Sequence, residues 1–187
     1  MNYSKITEWC HEIIKATAKK EGFYIDATMG KGNDTLLLCQ IAGACGHVLA
    51  FDIQEEALKY TAKKLKEAGY LNAELVQDGH EHMDRYAESE TADAICFNFG
   101  YLPGGDHKVA TKAQTSIEAI DKGLKILKRG GMMSLCIYSG GDTGFEEREL
   151  ILEYLKTIPG KEYTVIVNEY YNRGNNPPMP VFIYRRQ

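Results

Sequence analysis

DATMGKGNDT, residues 26–35, follows the apolar run GFYID (22–26) and opens a helical pattern. Two glycines one residue apart, Gly30 and Gly32, allow the backbone to turn tightly and to approach a ligand closely. Asp52 ends the next apolar run, 20 residues after Gly32, where a doubly wound sheet places an acid for ribose hydroxyls. The combination predicts a site for an adenosine-containing cofactor at the carboxyl edge of a parallel sheet.

Seven apolar runs along the chain have the length of a β-strand. They are GFYID (22–26), HVLAFD (47–52), AELVQD (73–78), AICFN (94–98), MMSLCIY (132–138), YTVIVNEYY (163–171) and MPVFIYR (179–185). Helical patterns separate most of them, which is typical of βαβ units around a parallel sheet. The last two runs are joined by the turn-rich segment NRGNNPP (172–178), so we expect them to pair antiparallel at the sheet edge. The predicted fold class is α/β: a Rossmann-like, seven-stranded, mostly parallel sheet with an antiparallel C-terminal hairpin strand and helices on both faces, in a single domain over residues 1–187.

The composition is that of an ordinary globular protein. Of 187 residues, 44% are hydrophobic and 26% charged, and the net charge of −4 disfavours a protein that coats nucleic acid without specificity. The five cysteines are odd in number and form no CxxC pair, which predicts reduced thiols. No apolar run reaches the roughly 20 residues of a membrane span. Glu8, His11 and Glu12 interrupt the apolar core that a signal peptide needs, so we expect a cytoplasmic protein.

Two residues of the glycine segment distinguish between cofactors. The dinucleotide fingerprint has a third glycine where this chain has Thr35, and Asp26 is poorly placed to face a pyrophosphate but suits an ammonium group. S-adenosylmethionine carries an ammonium and a sulfonium group and no phosphate, so it is the predicted cofactor. We expect Asp52 to bind the ribose hydroxyls and Asp78 the adenine amino group. The predicted cofactor-binding residues are Asp26, Thr28, Gly30, Gly32, Asn33, Asp34, Asp52, Gln54, Asp78, Gly79 and His80.

The segment NFGYLPGGDH (98–107) begins where the fourth apolar run ends. It resembles in outline the (Asn/Asp)-Pro-Pro-aromatic loop of amino methylases, in which an amide and loop carbonyls accept hydrogen bonds from an amine. The predicted catalytic residues are Asn98, Gly100 and Tyr101, and Tyr101 could also stack on a base. The predicted substrate-binding residues are Tyr101, Leu102, Pro103, Asp106, His107, Arg173, Asn175 and Pro177, with Asp106 or His107 as a possible proton acceptor. The histidines and acids of DGHEHMD (78–84) form a weak metal pattern, and no metal is predicted.

Six segments in this order, DATMGKGNDT, AFDIQ, QDGH, NFGYLPGGDH, YSGGDTG and NRGNNPP, resemble the YtqB/MnmM family of small bacterial S-adenosylmethionine-dependent methyltransferases. The resemblance covers nearly the whole chain and departs at Lys31 and Arg173, which both add positive charge near the expected site. It implies a class I methyltransferase fold and N-methylation of the aminomethyl group of 5-aminomethyl-(2-thio)uridine at the tRNA wobble position. It also implies the tRNA anticodon stem-loop as substrate and a homodimer.

Other functions stay open at this point. The acidic pI of about 5.8 favours a small-molecule amine methyltransferase, and an rRNA methyltransferase could use the same fold. Thr35 argues against an NAD-dependent oxidoreductase, and the segment NFGYLP argues against a ligand-binding module without activity. If the substrate is RNA, an acidic protein must concentrate its cations at the mouth of the site, and the candidates are Lys31, Lys108, Lys112 and Arg173.

Overall fold

The computed structural model describes residues 5–99, 112–138, 144–174 and 176–187. The strands are β1 (Phe23–Asp26), β2 (His47–Phe51), β3 (Ala73–Val76), β4 (Ala92–Phe99), β5 (Leu127–Ile137), β6 (Tyr163–Val167) and β7 (Met179–Arg185). The α-helices are α1 (Ile6–Thr17), α2 (Asn33–Ala42), α3 (Glu55–Ala68), α4 (Ala113–Ile126) and α5 (Gly144–Thr157). A short 3-10 helix, His80–Arg85, lies between β3 and β4.

The seven strands form one sheet in the order β3-β2-β1-β4-β5-β7-β6. Strands β1 to β5 are paired in parallel, and β7 lies antiparallel between β5 and β6. This confirms the predicted fold class. The sheet order changes direction beside β1, since β2 follows on one side and β4 on the other. Open α/β sheets bind ligands at such a switch point, outside the carboxyl ends of the strands.

Two strand boundaries differ from the prediction by four residues or more. β5 begins at Leu127, five residues before the predicted start at Met132, because the polar segment KRGG (128–131) continues the strand across a bulge opposite β4. β6 ends at Val167 and not at Tyr171. Its last bond runs from the Asn168 N–H to the Pro180 carbonyl, and Pro180 has no N–H with which to extend the ladder.

Successive side chains of a strand point to opposite faces of the sheet, and this alternation decides on which face each strand-end side chain lies. Tyr24, Ala94 and Cys96 pack with the buried faces of α1 and α2, whereas Ile25, Ile95 and Phe97 pack with α4 and α5. Continuing the first series by two residues places Asp26 and Asn98 on the α1 and α2 side. Both side chains therefore emerge beside the first turn of α2.

The five cysteines lie in described parts of the chain and are free thiols, with only Cys45 exposed. Within the described ranges, no three side chains of the metal-ligating types are grouped closely enough to hold a metal ion. None of the helices in those ranges has both the length and the apolar character to cross a bilayer.

Candidate functional site

Four polar side chains end four neighbouring strands. Asp78 follows β3, Asp52 follows β2, Asp26 ends β1, and Asn98 lies near the end of β4. The sheet order β3-β2-β1-β4 places them side by side at the carboxyl edge. They span about 14 Å, because neighbouring strands lie about 4.8 Å apart. The sequence prediction that these strand ends lie together at the carboxyl edge is thereby confirmed.

Asp52 holds the glycine loop, residues 27–32 between β1 and α2, at the end of β2. Its Oδ2 accepts from the Gly30 N–H at 3.0 Å, and its Oδ1 accepts from the Gln54 N–H at 2.9 Å. A carboxylate oxygen has two lone pairs, so each oxygen keeps a second acceptor site. The arrangement suits a pair of ribose hydroxyls, and it makes Asp52 important for the shape of the loop as well.

Gly32 brings the loop against α3. Its φ of 67° is left-handed, and a Cβ built there would lie 2.6 to 3.0 Å from the side-chain atoms of Thr61. Thr61 is fully buried on α3, and its hydroxyl donates to the Gly30 carbonyl at 3.1 Å. Thr61 was not among the predicted site residues.

Asp26 lies behind the loop rather than on its surface. The carboxyl group is fully buried, accepting from the Thr35 hydroxyl at 2.6 Å and from the Thr28 N–H at 3.2 Å. Burial and the nearby Asp34 charge raise its pKa from 3.8 to about 7. Thr35 thus occupies the third-glycine position because its hydroxyl holds Asp26. A bound cation would reduce the electrostatic repulsion between the Asp26 and Asp34 carboxylates. The ammonium and sulfonium groups of S-adenosylmethionine fit this requirement.

The raised pKa of Asp26 predicts a specific pH dependence of stability. The unfolded chain ionises this carboxyl above about pH 4, whereas the folded protein does so only near pH 7. Asp26 therefore lowers the free energy of unfolding progressively between these values, and by a constant amount at higher pH. Asp26→Asn is expected to remove this component and to be more stable than the parent at pH 8, since an amide can still bond Thr28 and Thr35. Urea unfolding from pH 4 to pH 8 checks it, and parallel curves for the two proteins would contradict it.

Asp78 organises the turn that follows β3. Its Oδ1 contacts the Gly79 N–H at 2.8 Å and His82 Nδ1 at 2.7 Å, and its Oδ2 accepts from the Tyr86 hydroxyl at 3.0 Å. The His82 hydrogen bond is the main reason that the pKa of Asp78 is lowered. The predicted contact with adenine would have to share this carboxylate with three protein donors. His82 and Tyr86 were not among the predicted site residues.

His80 offers a buried nitrogen at the same end of the sheet. Its ring packs edge-on against Phe97 and Phe99, with centroid distances of 6.0 and 6.2 Å. Burial lowers the pKa of the imidazole, which favours the neutral form. Nε2 is buried and has no hydrogen-bond partner among the described residues. An unmatched buried polar atom is costly, so His80 fits its predicted place in the wall of an adenosine pocket.

Asn98 is held at both its backbone and its side chain. Its N–H donates to the Thr28 hydroxyl at 2.7 Å, and its Nδ2 donates to Asp34 Oδ2 at 2.6 Å. The other Asp34 oxygen lies 2.5 Å from His11 Nε2. Each Asp34 oxygen thus contacts one protein group, and the predicted contact of Asp34 with the cofactor stays a prediction. His11 had no predicted role.

The remaining predicted site residues fall into two groups, of which Asn33, Arg173 and Pro177 lie within the described ranges. Asn33 opens α2 and accepts from Lys64 Nζ at 2.6 Å, and the Arg173 guanidinium lies 4.0 Å from the centroid of the Tyr170 ring. Outside the described residues lie Gly100, Tyr101, Leu102, Pro103, Asp106, His107, Lys108 and Asn175. The roles assigned to this second group stay predictions.

Known proteins share this arrangement of sequence and fold. A model of the family described as "Putative rRNA methylase" matches residues 48–184. The chain belongs to this rRNA methylase family. A relative from Arabidopsis thaliana, named tRNA (mnm(5)s(2)U34)-methyltransferase, chloroplastic, is 33% identical over 98% of this chain and 70% of its own length.

Solved structures extend the comparison to three dimensions. A "putative rRNA-methylase" from Clostridium thermocellum has a TM-score of 0.95 and 39% identity, over 99% of this chain and 100% of that chain. A "putative methyltransferase" from Streptococcus mutans, in complex with SAH (S-adenosylhomocysteine), has a TM-score of 0.89 and 34% identity, over 98% and 99% of the two chains. This member of the rRNA methylase family is an S-adenosylmethionine-dependent methyltransferase.

The residues at the carboxyl edge fit that cofactor. Bound S-adenosylmethionine supplies an electrophilic methyl group on a sulfonium. Asp52 and His80 offer acceptors for an adenosine, and the carboxylates around Asp26 offer a field that favours a cation. The N-terminus of α2, with its partial positive charge, suits the carboxylate group of the cofactor's methionine part.

Proposed function

We propose that this methyltransferase N-methylates the aminomethyl group of 5-aminomethyl-(2-thio)uridine at the wobble position of tRNA. The observation that carries the proposal is the fixed amide of Asn98. Because Nδ2 donates to Asp34, the amide oxygen is the atom available to accept a hydrogen bond from an amine. The name of the Arabidopsis relative, a tRNA methyltransferase for position U34, supports the same substrate.

The chemistry asks for positioning more than for proton transfer. An amine attacks a methyl group only as the neutral base, and its lone pair must lie in line with the bond that breaks. Asn98 is placed to accept an N–H of the amine and so to direct the lone pair. Holding the two reacting groups at the correct distance and angle supplies much of the rate enhancement in such reactions. The methylated amine releases one proton, for which Asp106 or His107 stays the predicted acceptor.

Cations and aromatic rings at the carboxyl edge support an RNA substrate. Arg173 stacks on Tyr170 in the segment after β6, and the neighbouring Tyr171 is fully exposed. On the glycine-loop side, Lys64 Nζ lies 5.5 Å from the centroid of the Tyr60 ring. Burial lowers the pKa of Lys64, and the charge of Lys31 lowers it further. Paired cations and stacking rings are the usual means of binding single-stranded RNA. A wobble base sits in a single-stranded loop, where such groups can reach it.

Arg173→Ala is expected to weaken binding of an anticodon stem-loop and to flatten its salt dependence. Each phosphate contact in single-stranded RNA contributes a log–log slope of roughly −0.7. Arg129→Ala is the matched control, because Arg129 is exposed at the opposite, amino end of β5. Fluorescence titrations at several salt concentrations measure both variants. Equal salt slopes for the two variants would remove Arg173 from the RNA-binding surface.

Nucleoside mass spectrometry tests the proposed function in the cell. In bulk tRNA from a strain lacking this gene, the 5-methylaminomethyl form should disappear and the 5-aminomethyl form should accumulate. The parent gene should reverse both changes, and Asn98→Ala should not. Unchanged tRNA nucleosides together with a lost methyl group in rRNA would favour the rRNA alternative.

The family resemblance further leads us to propose a cytoplasmic homodimer. Sedimentation of the purified protein tests whether it is a dimer.

A further inference from the structure

Helix α1 contributes a side chain to the end of β4. His11 Nε2 lies 2.5 Å from Asp34 Oδ1, and Asp34 Oδ2 accepts from Asn98 Nδ2 at 2.6 Å. The three residues come from α1, the first turn of α2 and β4, which are far apart in the sequence. Asp34 therefore joins His11 to the amide that we propose to face the acceptor amine.

The direction of the Asn98 amide depends on this chain of contacts. A side-chain amide has similar shape in its two flipped orientations, but only one places the oxygen away from Asp34. A carboxylate accepts hydrogen bonds and does not donate them, so Asp34 selects the orientation in which Asn98 Nδ2 faces it. The flipped amide would present two donor hydrogens to the amine and would bring its oxygen against the carboxylate.

His11 in turn fixes Asp34. The imidazole donates through Nε2 to the carboxylate oxygen that Asn98 does not use. The side chains of His11 and Asp34 are 22% and 15% exposed, so water competes little for this bond. Without His11, the Asp34 carboxylate could rotate or bind water, and its hold on the Asn98 amide would weaken.

We propose that His11 is a positioning residue for methyl transfer, acting through Asp34 to keep the Asn98 amide oxygen directed at the acceptor amine. The proposal rests on the proposed role of Asn98 but not on which RNA carries the amine. It assigns to α1, which precedes the glycine loop and lies outside the βαβ units, a direct effect on the reaction rather than a packing role alone.

The variants needed to test it are available on α1 itself. His11→Ala removes the donor, and His11→Gln keeps an N–H donor at a similar distance from the backbone. Glu12→Gln is the matched control, because Glu12 is the adjacent residue and pairs on the helix surface with Lys15. Thermal melts of all three variants show whether each one folds.

Nuclear magnetic resonance reads the amide directly, without any turnover. In 15N-labelled protein bound to S-adenosylhomocysteine, the side-chain amide protons of Asn98 should exchange slowly with water. They should exchange at least several-fold faster in His11→Ala, and at the parent rate in His11→Gln and Glu12→Gln. An unchanged Asn98 exchange rate in a folded His11→Ala protein would overturn the proposal.

Kinetics provide the second measurement. On the anticodon stem-loop, His11→Ala should lower kcat on the order of 10- to 100-fold, the usual effect of losing alignment of reacting groups. S-adenosylhomocysteine affinity should not change, and His11→Gln should recover most of the loss. A parent-like kcat for His11→Ala would overturn the proposal. If the parent itself does not methylate the stem-loop, the proposed substrate is wrong, and the amide exchange still decides the role of His11.

Discussion

Asn98→Ala is expected to lower turnover on the order of 100-fold, because the acceptor amine loses the group that orients it. The affinity for S-adenosylhomocysteine should change by no more than a few-fold, since Asp52 and the glycine loop are untouched. Single-turnover kinetics and calorimetry measure the two quantities separately. The loss should appear in kcat rather than in cofactor binding.

The matched control for Asn98→Ala is Asn168→Ala. Asn168 also presents a side-chain amide to a strand, but it bonds the Pro180 carbonyl beyond the end of β6. This control should retain parent turnover. Parent-like turnover in Asn98→Ala, or a parallel loss of cofactor affinity, would contradict the role given to Asn98.

Gly32→Ala is expected to weaken cofactor binding at least 10-fold and to lower stability. A Cβ at Gly32 would lie 2.6 Å from Thr61 Oγ1, and a left-handed φ alone costs an alanine roughly 1–2 kcal/mol. Thr61 is fully buried, so it cannot move aside without disturbing the packing of α3. The loop itself must therefore shift. Calorimetry with S-adenosylhomocysteine and urea unfolding measure the two effects.

Gly69→Ala separates backbone strain from the clash. Gly69 has φ 77° and ψ 21°, close to the 67° and 28° of Gly32, but nothing lies within 4 Å of its Cβ position. It should lose stability through strain alone and bind the cofactor like the parent. The double variant Gly32→Ala with Thr61→Ala should recover part of the affinity. Equal effects of Gly32→Ala and Gly69→Ala would show that Thr61 does not limit the loop.

The sheet could be predicted from the sequence because its signals are local. Apolar runs of strand length alternate with helical patterns, and the turn-rich segment 172–178 marks the antiparallel pair. The start of β5 was missed because the segment KRGG (128–131) is polar and rich in glycine, although it continues the strand. The length of β6 was overestimated because an apolar run does not show where the partner strand lacks an N–H donor, as β7 does at Pro180.

The candidate site could be predicted only in part, for a similar reason. Acids and amides at strand ends converge at one sheet edge by topology, so Asp52 and Asn98 were predictable. His11 lies 23 positions before Asp34, and no sequence spacing brings α1 to α2. Lys64 and Thr61 meet the glycine loop through the packing of α3. Contacts between helices depend on how they pack on the sheet, which a pattern along one chain does not specify.

The measurement that tests the proposed function most directly is methyl transfer to a defined RNA. Purified protein and S-adenosylmethionine are incubated with a synthetic anticodon stem-loop that carries 5-aminomethyl-2-thiouridine at the wobble position, and the nucleosides are analysed by mass spectrometry. We predict that one methyl group appears on the exocyclic nitrogen of that nucleoside, and that an otherwise identical stem-loop with unmodified uridine is not methylated. Methylation of the unmodified stem-loop, of an rRNA fragment or of a free small amine, with no transfer to the aminomethyl group, would contradict the account.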